Sequence, residues 1–186
     1  MIETPRLILR GWRDADYEPF AALNADPEVM RHFPATHSRE ESDELAGMNR
    51  THIDDHGWGL WVVERRQDGA FLGFTGLARP RQPNPLADEV EVGWRLGRFA
   101  WGHGYASEAA RASLDYGFNE LGLARIVSFT AVENERSQAV MRRIGMTRAP
   151  DLDFDHPRVP KGHRLERHVV YVVGSSPASG GSGPKP

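Results

Sequence analysis

The chain has 186 residues, 39% of them hydrophobic, enough to bury one core of ordinary size and too few for two full domains. Its 26 acids and 23 lysines and arginines are interspersed and leave a net charge of −3, which disfavours nucleic acid and an anionic membrane as partners. Cysteine is absent, which excludes disulfides, thiolate metal sites and an acyl intermediate on a cysteine nucleophile.

No apolar run is long enough to span a bilayer and the first residues lack a secretory pattern, so a cytoplasmic location is expected. Residues 6–10, Arg-Leu-Ile-Leu-Arg, read as a first strand. Asp14 or Asp16 caps a helix to about Asn24, with Tyr17, Phe20, Ala21 and Leu23 on its apolar side. Asp26-Pro27 signals another helix start, and Ser38 with Glu41 forms a capping box opening a helix to about Asp55, closed by Gly57. For the face of Arg31, His32, Phe33, His37 and His52 a solvated helical surface is expected, with the wall of a substrate cleft as the alternative. Residues 58–65 and 70–79 are strands joined by a hairpin turn at Gln67-Asp68-Gly69.

A proline-punctuated loop leads to a strand over residues 89–96, which breaks at Trp101-Gly102-His103-Gly104 and continues as an alanine-rich helix ending near Phe118. Glycines before a helix let the backbone approach a ligand, and the helix start offers unpaired N–H groups and a positive dipole end. A pyrophosphate suits such a turn. Taken alone, a Gly-x-Gly turn is more often structural, and neither a third glycine nor a Gly-Lys-Ser/Thr follows. Glu120-Leu121-Gly122 stops the helix, and residues 125–132 form a strand parallel to 89–96 if the crossover is right-handed. Asn134 then caps a helix of about three turns that ends at Gly145. Asp153, Asp155, His156, His163 and His168 match no zinc spacing, and no metal is expected. Residues 168–173 form a last strand, interior to the sheet. A single domain over residues 1–173 is expected, followed by a flexible Gly/Ser/Pro-rich tail over 174–186.

Two stretches together carry a resemblance: Glu91-Val92-Gly93-Trp94 running through Trp101-Gly102-His103-Gly104-Tyr105-Ala106-Ser107-Glu108, and Asn134-Glu135-Arg136-Ser137 through Gly145-Met146. They resemble the acetyl-CoA motifs of the Gcn5-related N-acetyltransferases. The opening Thr-Pro-Arg-Leu-Ile-Leu-Arg is similar to the branch of the ribosomal-protein alanine acetyltransferases. The resemblance implies a mixed α+β fold: a mostly antiparallel sheet, a central parallel strand pair that splays apart, and helices on both faces. It also implies acetyl-CoA as co-substrate, an amine acceptor (a small molecule or a protein N-terminus), no metal, and a monomer or homodimer.

The resemblance further implies that the turn from Trp101 through Gly102, His103, Gly104 and Tyr105 to Ala106 takes the pyrophosphate. The thioester carbonyl would meet a backbone N–H of the splayed strand Val92-Gly93-Trp94, near Gly93 or Trp94. Trp94 and Trp101 are read as core or pocket wall, not as catalytic groups. An ammonium must lose a proton before it attacks a thioester, and Glu91 stands where the family commonly keeps the base; the alternative is a solvated or ion-paired strand residue. Glu89 falls on the same strand face and Asp88 on the other, and these acids would attract an ammonium. Asn134 either orients the cofactor arm or a bridging water, or caps a helix, and the two are compatible. Methionine at 141, where many members carry a tyrosine, cannot protonate the leaving thiolate. Ser137, one turn earlier, is the expected thiolate partner, or else only the third residue of its helix. Without a cysteine, both substrates must bind together. An acyl-CoA-binding domain without turnover is the competing reading.

Overall fold

Leucine- and valine-rich runs bounded by glycine turns favour pleated, half-buried strands. In the computed structural model, which describes residues 1–175, they form one mixed sheet. Its strands are β1 (Ile2–Glu3), β2 (Leu7–Arg10), β3 (Leu60–Arg65), β4 (Phe71–Ala78), β5 (Glu91–Leu96), β6 (Arg125–Ala131), β7 (Thr147–Arg148), β8 (Phe154–Asp155) and β9 (Arg167–Gly174). The spatial order is β1-β2-β3-β4-β5-β6-β9-β7, with β8 also on β9. Every pairing is antiparallel except β5 with β6. Four α-helices complete the described residues: α1 (Tyr17–Ala25), α2 (Arg39–His56), α3 (Tyr105–Asn119) and α4 (Glu135–Arg143).

The parallel pair carries a single register pair, Glu91 opposite Val127, beside a 2.9 Å hydrogen bond from the Val127 N–H to the Val90 carbonyl. Beyond Glu91 the two strands separate. The Ser128 hydroxyl donates to the Val92 carbonyl at 2.9 Å and closes the base of the resulting fork.

Helices cover both faces. On one, Ala110 and Leu114 of α3 and Met141 of α4 pack with Leu77, Val92 and Ile126. Small residues let α3 sit close to the sheet: a Cβ at Gly117 would stand 2.7 Å from Ile126. On the other face Phe20 and Leu23 of α1 and Ala46 of α2 pack on Val62, with Trp12 edge-on to Phe20 at 4.8 Å. α2 starts with the Ser38–Glu41 capping box and stops at Gly57, φ 78°. Arg10, 6% exposed, joins β2 to this layer: its guanidinium forks onto Asp16 at 2.7 and 2.8 Å, and its Nε reaches Glu64 at 2.6 Å.

Several expectations need correction. Asp16 stands at the N-cap of α1, which follows a short 3-10 turn, but its carboxylate makes no cap bond and goes instead to Arg10 and to the Arg13 N–H. The Asp26-Pro27 start yields one turn, closed by the Met30 N–H on the Asp26 carbonyl at 3.0 Å, and no helix. Pro34 biases the residue before it toward extended backbone and removes a donor, so the turn does not propagate. β5 begins at Glu91, because Glu89 lies in a bend where Arg125 takes its carboxylate. Gly174 belongs to β9, opposite Arg125, and the Ser175 N–H donates to the Ala124 carbonyl at 3.0 Å, so the tail starts later than expected. Residues 176–186 of that tail lie outside the described residues. The two-residue strands β1, β7 and β8 are too short to leave a periodic signature. Among the described residues no helix is long and apolar enough to cross a membrane.

Candidate active site

The glycine turn before α3 is built to expose backbone amides. Gly102 and Gly104 both have φ 79°, in the left-handed region that side chains rarely adopt. Gly104 is the N-cap, no side chain caps the helix, and the first bond along it runs from the Glu108 N–H to the Gly104 carbonyl at 3.0 Å. The amides of Tyr105, Ala106 and Ser107 therefore face outward from the helix start. A Cβ added at Gly102 would meet nothing within 4 Å, so the turn opens straight onto the cavity.

Arg6, just before β2, buttresses this turn. It donates to the His103 carbonyl at 2.9 Å and to Glu108 at 2.7 Å, and stands 4.7 Å over the Tyr105 ring. Burial pushes the Glu108 carboxyl up, but hydrogen bonds from Thr4 and Arg6 outweigh it and hold its pKa below the ordinary value. Arg136 lies 4.8 Å over Trp101, whose indole N–H is fixed on the Leu96 carbonyl at 2.8 Å. Arg6, Arg111, Arg136 and Arg143 all line the cavity near the turn and give it a cationic rim suited to phosphates. Both tryptophans line the cavity, as does Val92, which is 1% exposed.

Within the fork, hydrogen-bond phase decides which amides are free. The Gly97 N–H donates to the Leu72 carbonyl at 2.9 Å, and Gly93 stands opposite Gly76. Alternation then turns the backbone groups of Glu91, Gly93 and Arg95 toward β4, and those of Val92, Trp94 and Leu96 toward the fork. Ser128 takes the Val92 carbonyl and Trp101 the Leu96 carbonyl. By this alternation the N–H groups of Trp94 and Leu96 face the gap, whereas that of Gly93 faces β4.

Side chains follow the opposite rule: Glu91, Gly93 and Arg95 share the face toward α1 and α2. Glu91 lines the cavity, is half-buried, and has no ion pair among the described residues. Burial pushes its carboxyl up to about 7, against the pull of the Arg158 charge. A carboxylate poised there can accept a proton near neutrality. Asn134 caps α4 by accepting the Ser137 N–H at 3.2 Å, and its amide donates to Thr130 at 2.9 Å. Ser137 lines the cavity, and its hydroxyl makes no hydrogen bond among the described residues. Met141 is fully buried in the core and away from the cavity.

The cavity runs from the glycine turn through the fork to the α1–α2 connection and has a volume of about 2740 Å³. A drug-sized ligand fills roughly 300–1,000 Å³, so two substrates fit at once. Arg31, His32, Phe33, His37 and His52 line its far end, where a solvated surface was expected. The acids expected there do not gather: Asp88 and Glu89 lie off the cavity, Glu89 engaged by Arg125. Of the Asp and His residues of the last third, His156 and His168 do come together, their ring centroids 4.8 Å apart. Asp153 is held by Arg148, Asp155 by Arg167, and among the described residues no three acids or histidines form a metal-ligand set. Arg6, Arg95 and Arg136 were missed by sequence reasoning, since only tertiary contacts single them out.

Gly104→Glu should weaken CoA binding by well over the ~1.4 kcal/mol that corresponds to tenfold, because it sets bulk and negative charge at the amides and strains a positive φ. Calorimetry on a variant shown by circular dichroism to be folded checks this, and unchanged affinity would remove the turn from the site.

Residues 6–147 match the acetyltransferase (GNAT) domain family. The chain is 31% identical to an uncharacterized N-acetyltransferase, YnaD, of Bacillus subtilis, over 92% of this chain and 95% of that protein. It is 33% identical to the FsC-acetyl coenzyme A-N(2)-transacetylase of Aspergillus fumigatus, over 92% of this chain and 75% of that one. Among solved structures, a GNAT-family acetyltransferase from Bacillus anthracis superposes with a TM-score of 0.77 at 27% identity, covering 93% of this chain and 97% of its own.

Proposed function

The chain belongs to the GNAT family of N-acetyltransferases, and on that premise we propose that it moves an acetyl group from acetyl-CoA directly to a primary amine in a ternary complex. The observation that carries this reading is one cavity joining a glycine turn, a strand fork and an unpaired carboxylate. In it, the pyrophosphate lies on the amides that open α3, from the Gly104 turn to Ala106, within the arginine rim. The pantetheine arm fills the fork between β5 and β6.

Chemistry follows from the donors that remain. The Trp94 N–H receives the thioester carbonyl oxygen and stabilises the charge that develops on it. Glu91, directly or through a water, accepts a proton from the acceptor's ammonium; the amine lone pair then attacks the carbonyl carbon, and the C–S bond breaks. The nitrogen, cationic after its attack, gives up a second proton as the amide forms, and the departing thiolate takes that proton while the Ser137 hydroxyl donates a hydrogen bond to the sulfur. Asn134 holds the start of α4, and with it Ser137, in place. The serine at 137, together with the Thr4-to-Arg10 opening, favours the branch resembling the ribosomal-protein alanine acetyltransferases.

The test is acetyl-CoA thiol release measured over a panel of amines, peptides with free amino termini included. Release that depends on an amine supports transfer; CoA binding with no amine-dependent release supports an acyl-CoA-binding domain instead. Ser137→Ala should lower kcat about tenfold while CoA affinity holds, since a hydrogen bond to a thiolate strengthens as the charge forms. An unchanged kcat would reduce Ser137 to a helix residue.

A further inference from the structure

Among the described residues, Arg95 is a cation without a counter-charge at the acceptor end of the cavity. It sits on β5 two positions beyond Gly93 and four beyond Glu91, on the same strand face. Phe33 and Phe74 sandwich its guanidinium at 4.2 and 5.4 Å, and Nη1 donates to the neutral Asn24 side chain at 2.5 Å. Nε is buried with no partner, and Nη2 makes no hydrogen bond yet remains open to the cavity that Arg95 lines. Burial pushes the Arg95 pKa down to about 10, as it does when no acid offsets the lost hydration. A buried, incompletely paired guanidinium is costly unless something completes it.

Its surroundings have the same sign. Arg31, Arg79, Arg81 and Arg158 also line this end of the cavity, against the acids Glu28 and Glu91, and Glu28 lies 3.8 Å from Arg31. A Cβ at Gly93 would meet nothing within 4 Å, so the strand between Glu91 and Arg95 is bare floor. Along a strand those two residues lie ~13 Å apart at Cα, a span their side chains shorten from both ends. A polyamine laid on this floor would bring a second cation to a cationic wall.

Resting on acetyl transfer as the function, we propose that the acceptor is a small primary amine that also carries a carboxylate, and that Arg95 binds that carboxylate while Glu91 takes the proton from the amine. The planar guanidinium has donors in the fork geometry that suits a carboxylate, and the two phenylalanines hold its plane. Arg95 is a specificity residue here, since it touches the acceptor away from the reacting nitrogen.

The experiment compares matched acceptors: amino acids, their carboxamides, the decarboxylated amines, a polyamine, and an aminophosphonate to separate carboxylate from phosphonate recognition. Wild-type enzyme should favour the carboxylates over the carboxamides in kcat/KM by roughly tenfold to a hundredfold, the range of a charge-assisted contact. In Arg95→Gln that ratio should fall toward one. Arg95→Lys, which keeps charge without the fork, should retain part of it, and it serves as the second variant should the glutamine protein fold poorly. Transfer to carboxamides or polyamines as fast as to carboxylates overturns the acceptor assignment and leaves acetyl transfer standing, as does a preference for the aminophosphonate. A ratio unchanged in both variants overturns the role of Arg95. No amine-dependent thiol release at all overturns the parent reading and this one with it.

Discussion

Glu91→Gln should reduce kcat/KM for the amine by roughly 10²–10⁴-fold, the contribution of a positioned general base, while the affinity for acetyl-CoA stays nearly intact. Glutamine keeps the shape of the side chain and removes only its capacity to accept a proton. The pH dependence gives the sharper test. The wild-type carboxyl, raised to about 7 by burial, is protonated and inactive below that pH and becomes a base above it, so kcat/KM should climb through about pH 7. In the variant that limb should vanish, and the residual rate should instead follow the free-amine fraction, up to about 8 for an α-amine or 10.4 for an alkylamine. The sign for stability runs the other way. A carboxyl whose folded pKa lies above its unfolded value favours the fold at low pH and loses that contribution as pH rises through about 7. Glu91→Gln should therefore gain thermal stability relative to wild type at pH 8 and not at pH 5, the usual tension between a working site and a stable one. A variant with the wild-type pH–rate profile would end the base assignment.

Arg10→Met should cost about 3–5 kcal/mol of folding stability, a large part of the ~5–15 kcal/mol that holds a domain together. Methionine fills the space of the arginine stem but leaves the carboxylates of Asp16, 3% exposed, and Glu64 without their cation. The contact also fastens the end of β2 to the turn that opens α1, so the helical layer over β3 loses its anchor. Urea unfolding measures the loss. The triple variant Arg10→Met, Asp16→Leu, Glu64→Met should regain part of it, because an apolar trio leaves no buried charge unpaired. A single variant with the wild-type midpoint would show that the cluster contributes nothing net.

Local chemistry made the proposed cofactor half of the site legible. Two glycines before an alanine-rich helix describe a backbone turn that exposes amides whatever surrounds it, and Asn134 and Ser38 announce their helices through side chains three residues from the amides they accept. The acceptor half depended on distance in sequence. Arg95 acquires meaning from Asn24, Phe33 and Phe74 on three separate segments, and in the cofactor half Arg6 likewise meets Glu108 and His103 only after the chain has closed the sheet. Residues 26–38 looked like a helix and its solvated face because Asp26-Pro27 is a sound local start. The proline at 34 and the demands of the cavity overrode it. The acids at 88 and 89 illustrate the same limit, since a strand two residues shorter than expected hands Glu89 to Arg125.

The single rung between β5 and β6 also bears on how the molecule comes apart. β6 and β9 share seven register pairs, whereas β5 and β6 share one. Backbone cooperativity therefore reaches across the fork mainly through α3 and α4, whose apolar faces underlie both halves. Such a sheet can open as two units, β1 to β5 with the first two helices and β6 to β9 with the last, joined by the core that α3 and α4 share. A ligand arm seated in the fork, bonded to strand edges on either side, would substitute for the missing rungs and make them unfold as one. Substrate occupancy is then also a form of protection, since without it the fork is the seam at which local opening gives proteases access.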